Sequence, residues 1–236
     1  MLEKRTQKLI AVSAVALIAG ISLALTAPAS TTTTLENSRS SPDAALKALM
    51  EGNQRYVANT AKSTNTPDDR PQLLTTHKPI AAILRCSDAR VSPEIIFDQP
   101  LGNLFIGAVA GNIVTPEVIA SFEYAVAVLG AKAIVVMGHR HCGAVETAIE
   151  MRNKSDQLPG SLPMLIDQII VPCALDTNPS DVATEEHQAV ICNANKGIGQ
   201  LIARSPVLAA AVKKGDLKIV AGVQDLETGT FTVTKK

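Results

Sequence analysis

Two short clusters hold residues able to do chemistry: Cys86-Ser87-Asp88-Ala89-Arg90, and His139-Arg140-His141-Cys142-Gly143. Cys86, His139 and Cys142 offer two thiols and an imidazole, the donors that a borderline-soft divalent ion such as zinc prefers. Three such ligands leave the fourth tetrahedral position for water or for Asp88, the outline of a catalytic site, whereas a structural site would normally take a fourth Cys or His. Taken singly, the two cysteines read as ordinary buried thiols and His139 as a satisfied core histidine. Their joint occurrence with Asp88 and Arg90 is what points to a metal.

The elements that must position these residues are legible around them. Cys86 ends an apolar run from Ile80 to Leu84, and His139 follows a second, Ala133 to Met137; both runs read as buried strands. Ligands at two strand exits can meet over one crevice, because open parallel sheets bind beyond their carboxyl ends. His139 and Cys142 are three apart at the start of a helix, which brings them together locally. Further strands are expected over Leu104 to Val109 and Leu217 to Val223, with helices over Pro116 to Leu129 and Glu185 to Arg204. Ser41 and Pro42 supply an N-cap and a favoured first residue to a helix with Ala45, Leu46, Leu49 and Met50 on one face. This alternation predicts an α/β fold, a parallel-core β-sheet flanked by helices. Glycines 102, 107, 111, 138 and 143 are expected around the site, where backbone must turn sharply or approach closely.

The runs CSDARVSPEIIFDQPLGNLF, AGNIV, SFEYAVAVLGAKAIVVMGHRHCGAV and LKIVAGVQDLETG together resemble the beta-class carbonic anhydrases over nearly all of residues 42 to 234. The resemblance implies zinc, one ion per chain, on Cys86, His139 and Cys142, with Asp88 and Arg90 as a neighbouring ion pair. It implies reversible hydration of carbon dioxide to bicarbonate and a proton, through attack by zinc-bound hydroxide oriented by that pair. Such a pair has a physical purpose: the guanidinium holds the carboxylate ionised and away from the open metal position. Phe105 and Tyr124 map to the aromatic side chains of a carbon dioxide pocket, and dimerisation, as a homodimer or a larger homo-oligomer, is implied as well. Hydrolysis of carbon disulfide or carbonyl sulfide on the same site, or a non-catalytic zinc-binding scaffold, are the alternative readings.

Several positions depart from that pattern. His77 stands where a bicarbonate-contacting glutamine is usual; it can donate a hydrogen bond or carry protons, its ordinary pKa being near neutrality. Ala108 replaces a common arginine, and the chain has no tryptophan, which argues against an inhibitory bicarbonate site and for a permanently open metal position. His141 is either a proton shuttle or a residue bonded to backbone, and His187, in a polar helical stretch, is expected in solvent.

At the amino terminus Lys4, Arg5 and Lys8 precede an apolar stretch from Leu9 to Ala27, with small residues at Ala27 and Ala29. Residues 1–29 therefore read as a secretory signal peptide directing the chain to the periplasm, or as an uncleaved membrane anchor. Residues 30–41, rich in Thr and Ser, read as a flexible linker, and 42–236 as the catalytic domain. The balance of 22 basic and 22 acidic residues leaves no footprint for nucleic acid, and no phosphate-binding glycine motif occurs. Cys173 and Cys192 are left over. In an oxidising compartment they can form a disulfide, or they remain two buried thiols.

Overall fold

The computed structural model describes residues 36–75, 77–169, 173–175 and 182–236. The expected signal or anchor segment and residues 30–35 of the expected linker lie outside these. Among the described residues, no helix is long and apolar enough to cross a membrane. Immediately ahead of Ser41 the chain is fastened to the domain: residues 36–38 make a helical turn, Ser38 is buried, and Arg39 donates to Lys78 O (2.8 Å) and Asn103 Oδ1 (2.9 Å).

Five strands form one sheet in the order β2-β1-β3-β4-β5: β1 (Ala81–Arg85), β2 (Leu104–Ala108), β3 (Ala133–His139), β4 (Lys218–Gln224) and β5 (Phe231–Lys235). The first four pair in parallel, while β5 returns antiparallel on β4. Every residue of β3 is buried. That explains its unbroken apolar sequence, since helices cover both faces of a parallel core. On one face Ala81, Ile83, Val135 and Met137 pack with residues of α1 (Pro42–Val57), α3 (Gly143–Glu150) and α4 (Leu162–Ile169). On the other, Ala82, Leu84, Ile134 and Val136 pack with α2 (Pro116–Ala127), α5 (Val182–Arg204) and α6 (Pro206–Lys214).

Local chemistry sets the helix starts. The Ser41 and Thr115 side chains each accept from the backbone N–H three residues on, with proline in the first turn. At the start of α5, Arg152 pairs with buried Glu185 (2.6 Å) and Arg140 with Oε2 of buried Glu186 (3.2 Å), whose Oε1 is left without a hydrogen-bond partner. His187 is half-buried with its Nδ1 shielded, not in solvent as its polar surroundings suggested; it is next to Glu186 and so lies at the flank of the inward face.

Cys173 and Cys192 form a disulfide, with Cα atoms 5.6 Å apart, tying the segment after α4 to the middle of α5. The two are 19 residues apart in sequence. A cross-link over a loop of that size contributes about 2–4 kcal/mol. Replacing both with serine is expected to lower the unfolding free energy by that amount in urea titration, with fold and site retained.

Asp98 is a second fastening. It is buried, in a left-handed turn, and accepts from Arg55 Nε (2.5 Å), Lys62 N (2.9 Å) and Ser63 N (2.8 Å), linking α1 to the loop that follows it. Burial pushes its carboxyl up, but the Ser63 N–H, Arg55 and the Lys62 N–H together outweigh that and hold it below the usual range. A depressed folded pKa gives stability that is present above the unfolded value near 4 and is lost as pH falls below it. Asp98→Ala is therefore expected to cost about 3 kcal/mol and to flatten the acid limb of a stability-against-pH curve below about pH 4.

Candidate metal centre and active site

Parallel pairing of β1 with β3 sets Arg85 opposite Met137, so that Cys86, the next residue, emerges beside Gly138 and one step from His139. Cys142 caps the amino end of α3, whose first N–H groups face its sulfur. The Sγ atoms of Cys86 and Cys142 and a ring nitrogen of His139 all lie within 4.8 Å of one another, and all three residues are buried. His139 Nδ1 lies 2.9 Å from Arg140 O. A carbonyl only accepts, so Nδ1 carries a proton, and in the neutral ring Nε2 presents a lone pair. That Nε2 is buried without a hydrogen-bond partner. An orphaned imidazole lone pair beside two thiols fits a divalent soft-to-borderline metal such as zinc.

The two thiols are pushed in opposite directions. A hydrogen bond from Cys142, the neighbouring His139 and backbone N–H groups, Gly111 N at 3.3 Å among them, outweigh burial and hold Cys86 well below the ordinary thiol range. Cys142 is pushed up by Cys86 and by burial. A metal ion held by both sulfurs would displace the thiol proton.

Asp88 stands at the rim, Oδ2 lying 3.9 Å from His139 Nε2. Arg90 engages both its oxygens: Nη2 to Oδ2 at 2.6 Å, Nε to Oδ1 at 3.0 Å, and the Arg90 backbone N to Oδ1 at 2.8 Å. This fork pushes the carboxyl down to about 2. The same Arg90 Nη2 donates to His141 O (3.2 Å), joining the two motif loops. His141 holds a left-handed backbone (φ 55°) with its side chain exposed. Arg85 Nη1 braces the first loop from behind, donating to Cys86 O (2.6 Å) and Asp88 O (3.1 Å).

The other residues singled out in the sequence gather elsewhere. Phe105 lies 6.0 Å from the exposed His77 ring and 6.3 Å from Tyr124, ring centre to ring centre. Phe105 packs against the layer containing Val118 and Phe122, on the other face of the sheet from the layer containing Cys86 and Cys142. Tyr124 is 49% exposed on α2. Of the expected glycines, 111, 138 and 143 adjoin the site. Gly102 instead turns the chain ahead of β2, at the far end of the strand from the site, and Gly107 makes room for Phe122. Gly111, expected at the site as a close backbone approach, supplies its N–H to Cys86 Sγ, whereas nothing in the sequence singled out Arg85.

The carbonic anhydrase family profile matches residues 81–231. Carbonic anhydrase 2 of Mycobacterium tuberculosis is 36% identical over 189 residues, covering 80% of this chain and 90% of that one. The carbonic anhydrase of Mycolicibacterium smegmatis is 33% identical over 191 residues, covering 80% and 92%. Among solved structures, a Coccomyxa beta-carbonic anhydrase in complex with acetazolamide superposes with a TM-score of 0.65 at 23% identity, covering 81% and 86% of the two chains. A tetrameric beta-carbonic anhydrase from Sordaria macrospora does so with 0.64 at 23%, covering 80% and 96%. The chain therefore belongs to the carbonic anhydrase family, and its fold is that of the beta class.

Proposed function

We propose that the chain is a zinc enzyme that reversibly hydrates carbon dioxide, with Cys86, His139 and Cys142 as the protein ligands and Asp88 with Arg90 as the orienting pair. The observation that carries this reading is the buried S/N/S donor set with the Arg90-bound carboxylate at its rim. Zinc held there would act as a Lewis acid and lower the pKa of a water toward about 7. The rest is done by the chain. Arg90 occupies both oxygens of Asp88 and keeps it ionised, so the carboxylate accepts a hydrogen bond from a water in the site and turns its lone pair toward the substrate. Arg85 and Arg90 fix the two loops, so that this geometry is in place before substrate arrives. With Ala108 in place of an arginine, the position neighbouring Arg85 on β2 carries no second guanidinium to draw Asp88 aside, which supports an open site.

Oligomerisation fits the aromatic cluster. His77, Phe105 and Tyr124 cannot line their own subunit's site from the opposite face of the sheet, but in a homo-oligomer they can face the site of a second copy. The tetrameric relative supports that assembly. The Cys173–Cys192 disulfide supports export to an oxidising compartment such as the periplasm, since structural disulfides rarely persist in the cytosol. Whether residues 1–29 are removed as a signal peptide or residues 9–27 act as a membrane anchor is tested by sizing the exported chain in soluble and membrane fractions.

The functional reading is tested by removing metal from the purified full-length chain with a chelator and restoring it. Hydration lost on removal and regained with zinc is expected. Hydration unaffected by complete metal removal would overturn it. A metal-loaded chain that hydrolyses carbonyl sulfide and leaves carbon dioxide untouched would replace it with the sulfur-compound reading.

A further inference from the structure

The backbone behind Cys86 is held by a residue that no motif contains. Gly111 N donates to Cys86 Sγ at 3.3 Å, and Gly111 O accepts from Asn193 Nδ2 at 2.6 Å. Both contacts are buried, and Asn193 is only 7% exposed. The N–H and the C=O of Gly111 belong to successive peptide planes hinged at a glycine Cα in the left-handed region (φ 68°), where the backbone has its widest freedom. A side chain there is disfavoured by the positive φ and by crowding, since a Cβ would stand 2.6 Å from Ile169 Cδ1 and 3.2 Å from Ala144 Cβ. The hinge is therefore best served by a glycine, and some other group must fix its torsions. Asn193 is placed to do so. It lies on α5, which packs on β3 and β4, and the preceding residue, Cys192, is tied by the disulfide.

We propose that Asn193 is a positioning residue for the Cys86 ligand: by clamping the Gly111 carbonyl it aims the Gly111 N–H at the sulfur. This rests on the reading of Cys86 as a metal ligand. An N–H donated to a ligating thiolate stabilises its lone pair, and partners of this outer kind set metal affinity by about 10–100-fold. The site thereby reaches a residue of α5 that is 82 positions away in sequence from the glycine it controls.

The test uses cobalt(II) on the full-length chain, where the thiolate-to-cobalt charge-transfer band reports directly on the sulfurs. In the wild type that band is expected; its absence would sink the metal-ligand reading and the proposal that rests on it, whereas a wild-type band left unmoved in the variants would sink the proposal alone. Asn193→Ala, and the near-isosteric Asn193→Asp, which lacks the donor, are expected to bind cobalt and zinc about 10-fold or more weaker in chelator competition, with the band moved to longer wavelength. Folded variants with wild-type affinity and an unmoved band would overturn the proposal. The wild type supplies an independent readout should neither variant fold. With cadmium-113 bound, the Gly111 amide proton is expected to show scalar coupling to the metal through the N–H···S bond. Cadmium bound without that coupling would equally overturn the proposal.

Discussion

Replacing Cys142 with alanine is expected to abolish metal retention and carbon dioxide hydration together. Cys142 is buried, so no solvent-borne ligand takes its place without opening the site, and the smaller alanine is accommodated without overpacking. The free energy of thiolate and imidazole ligation of zinc, about 10–16 kcal/mol over four ligands, assigns roughly 3 kcal/mol or more to each. Loss of one is therefore expected to weaken binding on the order of a hundredfold or more. Metal per chain after dialysis against a chelator, measured beside hydration on the same sample, reads both effects. The fold should survive, because the core around β3 does not depend on the metal: its strands close on Ile83, Val135 and Phe97 through apolar contact alone.

Asp88→Asn separates chemistry from metal binding. Asp88 lies outside the donor set, 3.9 Å from His139 Nε2 and held by Arg90, so metal content should stay at the wild-type level. The amide keeps the size of the carboxylate but loses its charge and the fork to Arg90, and it can present N–H where an acceptor is required. Hydration is expected to fall about 100-fold or more, the contribution of a well-placed acid–base group. An unchanged rate would remove Asp88 from the mechanism. A non-catalytic scaffold would show no activity in either form, which distinguishes it from a working enzyme with a damaged pair.

Local features of this chain were readable because local chemistry decides them. Ser41 before Pro42 caps α1, and the two apolar runs ending near Cys86 and at His139 become adjacent parallel strands. The spacing of His139 and Cys142 at a helix start brings both into the site. What could not be read depends on contacts between distant segments. The antiparallel return of β5 rests on its register with β4, and the pairing of Cys173 with Cys192 on a Cα separation set by α5. The burial of Asp98 depends on Arg55 and the N–H groups of residues 62 and 63, which lie far from it in sequence. Phe105 and Tyr124 could be named as pocket residues by resemblance, but only the pairing of Phe105 with Ala82 shows which face of the sheet they occupy. Asn193 carried no signal at all, because its partner Gly111 lies on a different element and the contact is to backbone.

Stopped-flow hydration by the purified full-length chain, with zinc quantified on the same sample, decides whether this donor set, loaded with zinc, turns over carbon dioxide. Hydration proportional to zinc content, approaching saturation at one zinc per chain and lost in Cys142→Ala, is expected. Full zinc occupancy with no hydration above the uncatalysed rate would contradict it.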